Sequence, residues 1–262
     1  MPIVNDACKV RPPLRLLILG SSVTLILRPP RKQRGRYTYA ELLEQQLWKK
    51  GYPTLVINEA TRAGVVSEAI DGFHQKVTRH SPDVVVIHYG INEAVPRLLP
   101  RRTFLWLNTP RPRLAPLPTI LLLQLNRLIN GLVTPLAIKT LRLSAWYPPK
   151  RFTREMTLLL EMLAKETQSL TYIVNIAPTT PRIESYLPGA GEKIQDYNQL
   201  LADLARQRQV PLIDLYSYVV SDVPSNVADG IHLTAHGHRI VADLLLAYVE
   251  RDVPQQHTSL LD

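Results

Sequence analysis

Only one cysteine, Cys8, stands among the 262 residues, so no internal disulfide framework holds this chain together. Long apolar runs are also missing: no window reaches the roughly 18 uninterrupted apolar residues that a membrane span needs. The best apolar stretch, Leu14 to Leu27, is broken by Arg15 and by Gly20-Ser21-Ser22. Arg11 and Arg15 give it the look of a secretion signal, but cleavage there would discard the Gly-Ser-Ser segment discussed below, so a cytoplasmic protein is expected. Acid is absent from two long segments. Ala94 to Arg154 holds eleven Lys or Arg and no Asp or Glu, and Arg28 to Arg36 adds five cations, again without an acid. Those segments more than account for the net charge of +9, which leaves the rest of the chain net acidic. No nucleic-acid module or regular aromatic–basic alternation accompanies the charge, so no nucleic-acid partner is expected. No internal repeat is present.

What is there reads as an ordinary globular chain, 45% hydrophobic and 20% charged, long enough for one large α/β domain spanning 1–262. Five short runs rich in Val, Ile and Leu have the pattern of strands covered on both faces: Leu14–Leu19, Thr54–Asn58, Asp83–His88, Thr171–Ile176 and Pro211–Leu215. Helical patterns lie between them, near Tyr39–Lys50, Val65–Arg79, Arg154–Ser169, Lys193–Gln209 and Ala235–Glu250. The first has a capping box in Thr38 and Glu41 and a stop in Gly51. Strands alternating with helices predict a five-stranded parallel sheet between two helix layers, a three-layer α/β/α fold. Residues 1–13 and 253–262 read as flexible tails.

Roughly 55 residues, about 94–150, break the rhythm, far more than a strand-to-helix connection needs. This arginine-, proline- and leucine-rich stretch reads as an insertion with short amphipathic helices, such as Ile120–Asn130. Three readings stand open: a subdomain packed on the core, a lid, or an interfacial surface. Polar Gln124, Asn126, Arg127 and Asn130 make it too polar to cross a membrane. Its leucines, its tryptophans (Trp106, Trp146) and its unopposed cations at 94–154 fit an anionic or amphiphilic substrate, or peripheral contact with an anionic membrane surface.

In open parallel sheets, sites form beyond the carboxyl ends of the strands. That edge receives Gly20-Ser21-Ser22-Val23-Thr24 after the first strand and Ala63-Gly64 after the second. It also receives Tyr89-Gly90-Ile91-Asn92-Glu93 after the third and Asp229-Gly230-Ile231-His232 near the end. A serine hydroxyl needs an adjacent base to attack a carbonyl, histidine is the usual one, and a carboxylate three residues away can hold its tautomer. Each piece alone has a plainer reading: Gly-Ser-Ser, Gly-x-Asn and Asp-Gly are common turns, and His88 at the end of the third strand reads as a packed histidine. His232, His236 and His238 with Asp229 form the competing reading, a metal site. Their order along the chain favours acyl transfer through Ser22.

That ordered set resembles the SGNH hydrolases, also called the GDSL esterase and lipase family, over about Leu14 to Val249 without the insertion. Ser22 falls at the nucleophile position of the first block, Gly64 on the second block's glycine, and Gly90 and Asn92 on the third block's Gly-x-Asn. Asp229 and His232 fall on the fifth block's Asp-x-x-His. Two residues depart: Ser21 stands where aspartate is usual, and Glu93 where Asp often follows the asparagine. Asn58 and Gly64 are one residue further apart than the pattern expects. The resemblance implies a flavodoxin-like fold and carboxylic ester hydrolysis by Ser22, His232 and Asp229 through an acyl-enzyme. It implies an oxyanion hole from the N–H groups of Ser22 and Gly64 and the amide of Asn92, with no metal and no cofactor. Transfer of the acyl group to a sugar hydroxyl, and a catalytically silent binding protein on the same fold, are the alternatives. A small-molecule, lipid or glycan ester is the expected partner.

Overall fold

The computed structural model describes residues 12–25, 37–108, 124, 129–141, 143 and 145–253. The basic segment Arg28–Arg36 and most of Ile120–Asn130 lie outside the described residues, as do the two tails apart from Pro12, Pro13 and Val253.

Five parallel strands form one sheet in the order β2-β1-β3-β4-β5. They are β1 (Leu14–Gly20), β2 (Thr54–Asn58), β3 (Val84–His88), β4 (Leu170–Val174) and β5 (Leu212–Ile213). Successive side chains in a strand point to opposite faces, and the core splits accordingly. Leu17 and Leu19 of β1, Val85 and Ile87 of β3 and Ile173 of β4 face one helix layer, which contributes Val66, Phe73, Met156, Leu159, Ile194 and Leu201. Leu16 and Ile18, Val84 and Val86, and Tyr172 and Val174 face the other layer, with Tyr39, Leu43, Leu47, Val241, Leu245 and Val249. Each such aliphatic side chain contributes roughly 1.5–3 kcal/mol when fully buried. Both faces of β1, β3 and β4 are covered, which is why they read as apolar runs rather than alternating ones; β2, expected to be covered likewise, is an edge strand with Leu55 exposed.

The expected helices are present with shifted ends. Tyr39–Lys49 is anchored by the Glu41 carboxylate, which accepts from the Thr38 backbone N–H (2.6 Å) and hydroxyl (2.8 Å). The helix expected at Arg154 begins earlier, at Pro149. Proline fits the first helical turn because the N–H it lacks would have no partner there. The helix expected across Val65–Arg79 breaks into Val66–Asp71, Phe73–Lys76 and a short tight turn at Thr78–His80. Gly72 lies at the first break, where its low helix propensity costs about 1 kcal/mol relative to alanine. Ala190–Arg208 and Ala235–Asp252 complete the layers. No helix among the described residues is long and apolar enough to cross a membrane.

The described parts of the 94–150 segment pack on the body of the protein. Pro96 pairs with Ala145 in an isolated antiparallel bridge, and the Trp146 indole donates to the Leu99 carbonyl (2.8 Å). The Tyr147 hydroxyl lies 2.9 Å from Ser67. Ile138 and Thr134, in and at the start of the helix Thr134–Leu141, are buried. Arg97 packs against both Phe104 and Trp146, 5.3 Å from each ring centroid, and the two rings meet each other edge-on at 5.4 Å, so part of the unopposed charge is spent on packing.

Candidate active site

Ser22 opens a four-residue helix directly after β1. The strand reaches this point through Gly20, where a Cβ would come within 2.6 Å of Thr24 Cγ2 and 2.9 Å of the His88 carbonyl. Of the two adjacent serines, Ser21 is completely buried with no hydrogen-bond partner for its hydroxyl, whereas Ser22 Oγ lies 3.0 Å from His232 Nε2. His232 Nδ1 lies 2.8 Å from Asp229 Oδ2, and Asp229 Oδ1 accepts the backbone N–H groups of His232 (2.8 Å) and Ile231 (3.1 Å). Residues 210 positions apart in sequence thus meet at one edge of the sheet.

The loop is shaped for that meeting. Gly230 has φ +85°, and a Cβ there would collide with Ile183 and Thr180. Val227 and Leu233 pair across the loop, and Thr234 caps the following helix by accepting from Gly237 N–H (3.1 Å). Partial burial works against ionisation of Asp229. The ring and backbone of His232 and the N–H of Ile231 outweigh it and hold the carboxyl well below the usual carboxylate range. An ionised carboxylate only accepts, so Nδ1 of His232 carries the hydrogen and Nε2 is left to accept from Ser22.

Asn92 and Gly64 are joined directly: the Asn92 side-chain amide donates to the Gly64 carbonyl (3.0 Å), using one of its two hydrogens. The Gly64 N–H closes a turn onto the Thr61 carbonyl (3.1 Å), so this donor is already engaged in the unliganded protein. Glycine is required there by close approach, since a Cβ would lie 2.8 Å from the Gly20 carbonyl and 2.9 Å from that of Thr61. Ala63, just before it, has φ +48°, a left-handed conformation that costs a non-glycine residue roughly 1–2 kcal/mol.

Two further residues, with no role assigned from sequence, knit these loops. Buried Glu93 accepts the Val66 N–H (2.8 Å) on one oxygen and the Gly90 N–H (3.1 Å) on the other. Burial pushes its carboxyl up to about 7, against the pull of those hydrogen bonds. Arg101 donates through Nε to the Ala63 carbonyl (2.9 Å) and pairs with Glu68. Glu93 carried a signal, its place beside Asn92 in a first helical turn. Arg101 carried none, being one cation among eleven in its segment.

The other candidates turn elsewhere. His236 Nδ1 meets Asn226 Oδ1 at 2.7 Å, and His238 accepts the Tyr39 N–H (3.1 Å). Buried His88 sits 3.3 Å from the Tyr39 hydroxyl, and its pKa falls to about 3 through burial and the nearby His238. Among the described residues, no group of three or more His, Cys, Asp or Glu is placed to hold a metal ion. Beside the serine and histidine loops lies a small hollow of about 10 Å³ lined by Val23, Tyr89, Ile91, Ile176, Ala177 and Ile231, with His88 and Leu233. That is room for about one water-sized group.

Comparison with known proteins gives this geometry a family. The model of the GDSL-like lipase/acylhydrolase family matches residues 18–240. A lipase/acylhydrolase from Enterococcus faecalis superposes with a TM-score of 0.62 at 14% identity, over 91% of this chain and 96% of that one. The acetylxylan esterase Axe2 of Geobacillus stearothermophilus gives 0.60 at 14% identity, over 90% and 94%. The acetyl xylan esterase AlAXEase gives 0.59 at 18% identity, over 90% and 100%. A search of the curated proteins returned no match. With its parallel three-layer fold and the family match across all four loops, the chain belongs to the GDSL-like lipase/acylhydrolase family and is a carboxylic ester hydrolase.

Proposed function

We propose that the protein hydrolyses an ester with a short acyl group through an acyl-enzyme on Ser22. The observation that carries the chemistry is the unbroken line from Ser22 Oγ through His232 to Asp229, 3.0 and 2.8 Å long. His232 Nε2 takes the hydroxyl proton as Ser22 Oγ bonds to the carbonyl carbon. The imidazolium is stabilised by Asp229 and returns the proton to the departing alkoxide. Water, deprotonated by the same nitrogen, then attacks the acyl-enzyme; the bond from the acyl carbon to Ser22 Oγ breaks and His232 returns the proton to that oxygen, freeing the acid and Ser22. The oxyanion is met by the Ser22 N–H and the second hydrogen of the Asn92 amide, with the Gly64 N–H shared between Thr61 and the oxyanion. No cofactor enters these steps.

Acyl size follows from the hollow between Val23, Ile91, Ile176 and Ile231, residues adjacent to the reacting groups or facing them from the end of β4. A methyl group fits it; a long chain has to displace the isoleucines. The two esterases compared above are described as acting on acetylated xylan, which accords with a short acyl group. Anionic or amphiphilic character, if selected, then resides in the alcohol moiety. Exposed Leu132, Leu136 and Leu141 beside exposed Lys139 supply a face for peripheral contact with an anionic membrane.

Turnover of p-nitrophenyl acetate, butyrate and octanoate tests the acyl assignment. Activity is expected to fall steeply with chain length, and Ile176→Ala to move the optimum toward butyrate. Equal kcat/KM for acetate and octanoate contradicts it. Co-sedimentation with phosphatidylserine vesicles, lost on Leu136→Glu, tests the surface; no sedimentation at low salt rules it out.

A further inference from the structure

We infer that Arg101, from the segment inserted after β3, is a positioning residue for the oxyanion-binding loop and sets the direction of the Gly64 N–H. The inference rests on the proposed acyl-enzyme chemistry but concerns a residue outside the matched blocks.

The Ala63 carbonyl and the Gly64 N–H belong to one peptide unit. That unit is planar and rigid, with its carbonyl and N–H pointing in opposite directions. Whatever grips the carbonyl therefore aims the N–H. Arg101 Nε is that grip, 2.9 Å from the Ala63 oxygen. The guanidinium is itself fixed: it pairs with Glu68 Oε1, while Glu68 Oε2 accepts the Thr61 hydroxyl at 2.6 Å. Thr61 is also the residue whose carbonyl receives the Gly64 N–H at 3.1 Å. Arg101, Glu68 and Thr61 thus close a ring around a turn whose third residue, Ala63, holds a left-handed φ of +48°.

A charged donor on the carbonyl also polarises the peptide, which strengthens the N–H on its far side as a donor. The ring does two things at once. It keeps Ala63 in a conformation it would otherwise leave, and it holds the direction of the Gly64 N–H, while the Asn92 amide grips the following peptide through the Gly64 carbonyl (3.0 Å). Arg101 begins the helix Arg101–Asn108, so the inserted segment acts on the chemistry through one contact with the second loop, apart from any covering role.

The test is steady-state kinetics of Arg101→Ala, Arg101→Lys and Glu68→Gln on p-nitrophenyl acetate, with Ser22→Ala and thermal unfolding as controls. Arg101→Ala is expected to lower kcat about 10- to 100-fold, short of the roughly 10²–10³ for loss of a whole donor, with KM changed less than about threefold. Arg101→Lys recovers part of the loss, and millimolar guanidinium raises kcat of Arg101→Ala but not of wild type. Combined with Asn92→Ala, the two losses fall short of multiplying, because both act on the same loop and charge. If Arg101→Ala does not fold, Glu68→Gln decides, with a smaller fall in kcat expected. Wild-type kcat in folded Arg101→Ala, or in Glu68→Gln, overturns the inference. Retained activity in Ser22→Ala would instead overturn the underlying chemistry, so the two failures are separable.

Discussion

Replacing Glu93 by glutamine should change how stability depends on pH, and the size of the change follows from its surroundings. The side chain is 1% exposed, and burial raises its carboxyl from an ordinary 4.5 to about 7 despite hydrogen bonds from Val66 and Gly90. The unfolded chain releases this proton near 4.5 and the folded chain near 7. Between those values the folded state binds more protons, so stability falls as pH rises, by about 1.4 kcal/mol per pH unit. Across the interval that is about 3 kcal/mol, absent below 4.5, fully present above 7 and constant thereafter. Glutamine does not titrate and removes the slope. It has its own cost, because both Glu93 oxygens accept backbone N–H groups, and an NH₂ against either leaves a buried donor unmet at about 1–3 kcal/mol. Glu93→Gln is therefore less stable than wild type at pH 5, and the difference shifts in favour of the variant by about 2–3 kcal/mol at pH 8, enough to close or reverse the gap. Urea unfolding at the two pH values measures both. A gap constant to within about 0.5 kcal/mol would show that Glu93 is not raised and refute the reasoning.

Asn92→Ala should lower kcat by about 10²–10³ with a smaller effect on KM, since the amide acts on charge that develops in the transition state. Asp229→Asn should lower turnover by about 10⁴, because an amide can leave His232 in the tautomer that cannot accept from Ser22; phosphonate labelling of Ser22 should slow in parallel. Gly64→Ala should destabilise by about 1–3 kcal/mol, because its Cβ meets backbone carbonyls of Gly20 and Thr61 that cannot swing aside; a melt shows it as a lower Tm.

The parallel sheet was legible because β1, β3 and β4 are covered on both faces and carry mostly Val, Ile and Leu through their buried length, with Tyr172 the aromatic exception in β4. The approach of Ser22 to His232 and Asp229, and of Asn92 to Gly64, was legible because each follows a strand or loop that delivers it to one edge, and order along the chain encodes that delivery. Boundaries were less so. Pro148 and Pro149 looked like the end of the insertion and are the start of a helix, and Gly72 breaks a pattern whose apolar spacing looked continuous. The Thr61–Gly64 turn bond and the Arg101–Ala63 contact were beyond reach of pattern. They depend on peptide orientation and on a pairing across 38 positions, neither of which leaves a trace in residue type. Within the 94–154 segment, Arg97, Arg101 and Arg151 are engaged by aromatic rings, by Glu68 and by Glu155, pairings that a count of charges along the sequence does not show.

Mass mapping after treatment with a serine-reactive fluorophosphonate is the most direct test that Ser22 attacks under the control of His232. The account predicts a single adduct on the Ser22 peptide, no adduct and no esterase activity in Ser22→Ala, and labelling slowed by orders of magnitude in His232→Ala. An adduct on another residue, or wild-type ester hydrolysis in Ser22→Ala, would contradict it.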